Sequence, residues 1–174
     1  MSRRLNAQDI DDLAVGAWIL GTGGGGSPYL NHLNMQRIAS TGTEFELIDP
    51  QELADEAQVA VVSTMGAPLV MQERLQDTSD VARAVEVMAD HIGSKFDAVM
   101  ATEIGGSNAF QPLMAAVHLG IPIVDADAMG RAYPEAQMTS FAIGGLQPWP
   151  LALVDPRGVE AVVTHVPTWK WMER

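Results

Sequence analysis

Apolar positions set the first expectations. Ile10, Leu13, Ala14, Ala17 and Leu20 recur at helical spacing, and the run stops at Gly21. Asn6 or Asp9 is placed to cap that helix. Ser27 followed by Pro28 suits the start of a second helix reaching about Ser40. Glu44–Ile48 then reads as a short strand closed by Asp49-Pro50, with a short helix from Gln51 to about Glu56. Val59–Thr64 is an unbroken run rich in β-branched residues, the pattern of a strand buried on both faces. Thr78 or Ser79 caps a helix whose inner face is Val81, Val85, Met88 and Ile92, closed by Gly93.

The next stretch organises the chain. An apolar strand, Asp97–Thr102, runs into Glu103, and a second, Ile121–Val124, runs into Asp125 and Asp127. Between them Asn108–Leu119 reads as a helix stopped by Gly120. Strand–loop–helix–strand units of this kind make parallel sheets with right-handed crossovers. After Phe141 the alternation changes, and Leu151–Val154 and Val159–Thr164 form a hairpin around Asp155-Pro156-Arg157-Gly158. The expected fold is α/β: a mainly parallel sheet with helices on both faces and a C-terminal β-hairpin. At 174 residues, a single domain over 1–174 is expected.

Composition narrows the function classes. The chain is 47% apolar and 18% charged, the balance of a globular protein. Its net charge of −12 argues against nucleic acid and against an anionic membrane surface as partners. With no cysteine, thiol nucleophiles, thiolate metal sites and disulfides are excluded. The N-terminus has no apolar core of a secretory signal, and no run is long enough to span a bilayer, so a cytoplasmic protein with a small-molecule substrate is expected. The tail, VPTWKWMER, ends on two tryptophans; with Trp149 they suggest a homo-oligomer or a partner subunit docked there.

Ligands of open α/β sheets bind beyond the C-terminal ends of parallel strands. Glu103, Asp125 and Asp127 fall there, with Glu135 in a nearby loop. Asp125 and Asp127 share a face if their strand continues. Carboxylates in one pocket shift each other's pKa and can divide acid and base roles, or hold a hard divalent cation. Each has a plainer reading as a loop or helix cap. Asn108 is either a helix cap or an amide aimed at a substrate carbonyl. Arg131, the only Lys or Arg between Lys95 and Arg157, is either a counter-ion to the acids or a clamp for a substrate carboxylate.

The glycine run Gly21–Gly26 contains G-x-G-x-x-G, but a helix precedes it where the dinucleotide fingerprint needs a strand. The remaining alternatives are a flexible connection or a loop whose backbone N–H groups, from Gly24, Gly25, Gly26 and Ser27, hold an anion or oxyanion. Gly105-Gly106-Ser107-Asn108-Ala109 approximates a nucleophile elbow in the right strand–turn–helix context. The chain order Ser107, Asp125 or Asp127, His165 also fits a hydrolase triad, but His165 falls on the C-terminal hairpin and His118 reads as a helix-interior residue.

Three blocks, GTGGGGSPY (Gly21–Tyr29), EIGGSNAFQPL (Glu103–Leu113) and GIPIVDADAMGRAYPEAQMTSF (Gly120–Phe141), resemble the S-methyl-thiohydantoin desulfurase family, long catalogued beside hydantoinase genes. The resemblance covers about Asp9 to Val154. It implies an α/β first domain followed by a mostly β second domain, and this sequence stops where the second would begin. It also implies hydrolytic cleavage of a hydantoin- or thiohydantoin-type ring. On that basis Glu103, Asn108, Asp125 and Asp127 are expected to be catalytic, while Gly24, Gly25, Gly26, Ser27, Arg131 and Glu135 bind the substrate or an anion. The resemblance fixes no cofactor; the metal variant is a divalent cation, Mg²⁺ or Ca²⁺ rather than Zn²⁺. The other reading is a catalytically incomplete ligand-binding or oligomerising domain.

Overall fold

A computed structural model describes residues 2–74 and 77–174. The elements run β1 (Arg3–Leu5), α1 (Ala7–Gly21), α2 (Tyr29–Ala39), β2 (Phe45–Ile48), β3 (Val59–Val62), α3 (Pro68–Glu73), α4 (Asp80–Ile92), β4 (Ala98–Ala101), α5 (Gln111–Leu119), β5 (Ile123–Val124), α6 (Ser140–Ile143), β6 (Leu151–Val154), β7 (Glu160–Val163) and α7 (Trp169–Met172). The main sheet has the order β1-β2-β5-β4-β3. β2, β5, β4 and β3 are parallel, and β1 joins β2 antiparallel with Arg3 opposite Leu47. β6 and β7 form the expected antiparallel hairpin. No helix among the described residues is long and apolar enough to cross a membrane.

Local chemistry explains most boundaries. Asn6 accepts hydrogen bonds from Gln8 and Asp9 N–H while the Asp9 carboxylate accepts from Asn6 N–H, a reciprocal capping box that starts α1. Gly93 and Gly120 end α4 and α5 in the left-handed conformation that glycine adopts without a Cβ penalty. Asp155 turns the hairpin by accepting from Arg157 and Val159 N–H. The core joins the inner face of α1 (Ile10, Ala14, Ala17) to Met35, Val99, Phe110 and Met114.

Four expectations change. β3 is not buried on both faces: it ends the sheet order, and Val61 is 42% exposed while Ala60 and Val62 are buried. Gln51–Glu56 forms only a 3₁₀ turn over Pro50–Glu52, because Asp49 caps Gln51 N–H and Leu53 returns to extended backbone. α2 begins at Tyr29, with Pro28 before it and Ser27 Oγ accepting from Tyr29 N–H at 3.3 Å. α5 begins at Gln111, and Asn108 lies inside a 3₁₀ turn, Gly106–Phe110, rather than capping a helix. β1 went unforeseen because only Leu5 of its three residues is buried, which leaves no readable alternation.

Candidate active site

A cavity of about 260 Å³ opens beyond the C-terminal ends of β3 and β4. Its wall includes Thr64, Glu103, Asn108, Tyr133 and Glu173, together with Gly25 and Gly26. Five segments distant in sequence meet there, and glycine makes the tightest of these meetings sterically feasible. Gly106 has φ +68°, and a Cβ on it would lie 2.5 Å from the Gly25 carbonyl. Gly25 has φ +70°, and a Cβ on it would lie 2.5 Å from the Gly105 oxygen. Two backbones therefore cross in contact, and only glycine fits both conformation and space. Ser107 rivets the crossing: its N–H and its hydroxyl both donate to Gly25 O, at 2.8 and 2.9 Å. Its own carbonyl accepts from the buried Asn31 and Gln111 amides. The elbow-like sequence is thus a packing device. His165 lies tilted against Trp149 and His32 bonds Asp11, and neither lines the cavity beside Ser107.

Glu103 stands where β4 ends and is 6% exposed. Asn108 Nδ2 donates to its Oε1 at 2.6 Å, and Tyr133 N–H donates to its Oε2 at 3.1 Å. Asn108 is held from its other side, where Oδ1 accepts from Thr64 N–H at 2.8 Å and from the Thr64 hydroxyl at 3.1 Å. This chain fixes the amide so that it can only donate to Glu103. Burial pushes the Glu103 carboxyl above its ordinary value, and the nearby Asp127 adds to the rise; the bonds from Asn108 and Tyr133 oppose it. Tyr133 is pushed up to about 12, by burial first and then by Glu103, Glu173 and Asp127. Its phenol is protonated at neutral pH.

The remaining sequence candidates separate. Asp127 lies behind Glu103 and is spent on backbone: it accepts from Ile104 N–H at 2.8 Å and, with both oxygens, from Gly130 N–H. The strand stops at Val124, so Asp125 and Asp127 do not share a sheet face, and Asp125 is exposed. Arg131 neither pairs with the acids nor lines the cavity. Its guanidinium donates to Ala132 O and Thr22 Oγ1, at 3.0 and 2.9 Å. Glu135 is exposed and accepts from the Gln137 amide. Gly24 N–H is consumed by Gly21 O at 2.7 Å, and Ser27 lies outside the cavity wall. Among the described residues, Gly25 and Gly26 N–H have no protein partner, and both glycines line the cavity.

Sequence reasoning missed Thr64, Tyr133 and Glu173. Thr64 follows β3, and the strand-end rule used for β4 and β5 applies to it equally. Tyr133 is the one aromatic in the polar loop after β5, a usable signal. Nothing local marks Glu173, which arrives through the tail: α7 packs on Ala136–Met138, Trp169 Nε1 donates to Leu146 O at 2.9 Å, and Glu173 accepts from Ala136 N–H at 3.4 Å. Trp171 remains 59% exposed.

Among the described residues no three carboxylates or histidines stand close enough to share an ion. Both oxygens of Glu103 and of Asp127 already accept from N–H donors.

The geometry defines an α/β domain with an acid-lined cavity at the ends of its parallel strands. The chain belongs to the S-Me-THD-like family, whose N-terminal domain matches residues 8–165. It is also similar to the crystal structure of a protein from Chromobacterium violaceum, with a TM-score of 0.79 and 26% identity over 94% of this chain. The match spans 45% of that longer chain. Comparison with curated proteins returned no match.

Proposed function

We propose that the cavity binds a hydantoin- or thiohydantoin-type ring and hydrolyses it, with Glu103 as general base. The carrying observation is a buried carboxylate held by Asn108 and Tyr133 N–H and raised in pKa by burial, in a cavity also lined by Gly25 and Gly26, whose N–H groups have no protein partner among the described residues. Catalytic carboxylates are tuned upward by burial in this way. Ionised Glu103 takes a proton from water as its oxygen bonds to the ring carbon. The electron pair moves onto the carbonyl or imine heteroatom, which then accepts from Gly25 and Gly26 N–H. When that intermediate collapses, the C–N or C–S bond breaks and protonated Glu103 returns its proton to the leaving atom. Tyr133 stays a hydrogen-bond donor throughout.

The test is hydrolysis of hydantoins, S-methyl-thiohydantoins and related cyclic amides, with and without EDTA. Turnover that survives EDTA and falls at least about 100-fold in Glu103→Gln supports the reading. Wild-type rates in that variant would remove Glu103 from the chemistry. A second reading follows from the 45% coverage of the longer relative. In it the chain binds the ring without turnover and docks a partner or a second copy through Trp171. A ring that raises the melting temperature without being hydrolysed would favour it.

A further inference from the structure

We propose that the chain self-associates through the outward face of its first two helices, with α1 and α2 of one copy packed against α1 and α2 of a second copy. Self-association of this kind does not depend on what the cavity binds or hydrolyses.

α1 is apolar on two sides. Ile10, Ala14 and Ala17 are buried in the core, while Val15, Trp18 and Ile19, at i, i+3 and i+4, form a second stripe that is 56–65% exposed. A helix that is hydrophobic all round is normally covered all round. α2 repeats the pattern: Met35 is buried, and Tyr29, Leu30 and Leu33 are 40–57% exposed. The two helices pack on each other and are tied through Asp11, whose Oδ1 meets His32 Nε2 at 2.7 Å and accepts from Gln36 Nε2 at 2.6 Å. Both stripes therefore belong to one surface. α4 shows what a solvated helix of this chain looks like: Val81, Ala82 and Val85 are buried, while Arg83, Glu86 and Asp90 are exposed.

Size and charge point to a second copy as the occupant. The six side chains leave on the order of 600 Å² accessible, at the top of the range for apolar patches on monomers and approaching the roughly 800 Å² that each partner buries in a standard interface. Trp and Tyr are enriched, and Asp, Glu and Lys depleted, at the centre of such contacts. With a net charge of −12, two copies repel across most of their surfaces. Residues 13–43 hold no Asp or Glu, the longest such stretch in the sequence, and their one Lys or Arg is the exposed Arg37 in the last turn of α2. Like charge opposes a second copy least on this face, and a two-fold axis would set the same apolar stripes against each other. The tail offers less: Trp169 is bonded to Leu146 O, and the Arg174 guanidinium lies over the Trp171 ring, 5.4 Å from its centroid. The loop joining α1 to α2 carries Gly25 and Gly26 to the cavity, so the helix pair that forms the interface also holds one wall of the site.

Sedimentation velocity of the whole chain, from ~1 to ~200 µM, tests this. A dimer should dominate at the upper end, with a dissociation constant in about the micromolar range. The dimer fraction should rise with salt, which screens the repulsion between two copies at −12 each. Ile19→Glu and Leu33→Glu should each weaken association at least ~100-fold, because the two-fold brings the new carboxylate in from both copies. Both positions are exposed in the single chain, so these variants should keep the wild-type circular dichroism. Trp171→Ala should leave association within about twofold of wild type. A wild-type chain that stays monomeric at the highest concentration overturns the proposal. A dimer that survives both glutamate variants also overturns it, and its loss in Trp171→Ala would move the contact to the tail.

Discussion

Two parallel strands end side by side in this molecule, and each delivers acids to the same edge of the sheet. Beyond β4, Glu103 is buried, doubly hydrogen-bonded and raised in pKa. Beyond β5, Asp125 stands in solvent and Asp127 is consumed by backbone N–H groups. What separates them is the structure that follows each strand. The chain after β4 enters a 3₁₀ turn pressed against the glycine loop, so Glu103 is roofed over. The chain after β5 crosses back over the end of β4, where Ala128 N–H donates to Thr102 O; Asp125 is left exposed before the crossing and Asp127 staples it. Position at a strand end nominates a residue; burial and unspent hydrogen-bonding capacity decide what it can do.

The largest effect should come from the roof itself. Gly106→Ala places a side chain at φ +68° with its Cβ 2.5 Å from the Gly25 carbonyl. The left-handed conformation alone costs about 1–2 kcal/mol, and the clash forces two backbones apart. A total loss of about 3 kcal/mol or more, read as a fall in melting temperature of roughly 6–12 °C, is expected. An unchanged melting curve would mean that the two loops are not in contact.

The next effect is in pH dependence, and the two strand ends should differ in it. Glu103 has a folded pKa above its unfolded value, so between the two values the native state holds more protons than the unfolded state. Stability from this group is therefore complete below the ordinary glutamate value of 4.5 and is lost as pH rises through the raised value. Hydrolysis should run the opposite way, rising as Glu103 ionises. Glu103→Gln should abolish both trends, at a cost of about 1 kcal/mol because one of its two accepted bonds becomes a donor–donor contact. A pH–stability slope in this range that survives the substitution would assign the titration to another group.

Much of this was legible in the chain. The parallel sheet, a helix cap at Asn6 or Asp9, the glycine stops and the hairpin follow from local patterns, because period and cap chemistry act over a few residues. Glu103 was marked by its place after an apolar strand. What the pattern hid is long-range. Asn108 sits where a helix cap should be, yet its amide is turned to Glu103 by Thr64, 44 residues away. Gly25 read as part of a flexible or anion-holding loop and Gly106 as part of an elbow, but they meet as a backbone crossing. Glu173 comes from the tail with no local sign that it faces a cavity. Arg131, alone among acids in sequence, is tied to the Thr22 hydroxyl in space.

Asp127 probes the staple between the two strand ends. Asp127→Asn keeps the shape but turns one acceptor into a donor facing Ile104 or Gly130 N–H. A loss of about 1–3 kcal/mol is expected from that mismatch. Removing the charge also removes one of the causes that raise Glu103, so the pH midpoint of hydrolysis should move down. A midpoint that stays in place while stability falls would show that Asp127 acts only as a loop anchor.

The smallest effect should belong to Asp125. Its backbone N–H donates to Ile48 O at 2.8 Å, continuing the sheet pairing for one residue past β5, while the residue is exposed and lies outside the cavity wall. Asp125→Asn keeps that backbone bond and alters only a solvated carboxylate. Stability should stay within about 0.5 kcal/mol of wild type, and hydrolysis within about twofold, since a charge that far into solvent is screened from the ring. A tenfold loss of rate with an unchanged melting temperature would instead place Asp125 in contact with substrate. The acids after β4 and β5 would then work as a pair, and the burial argument that separates them would be wrong.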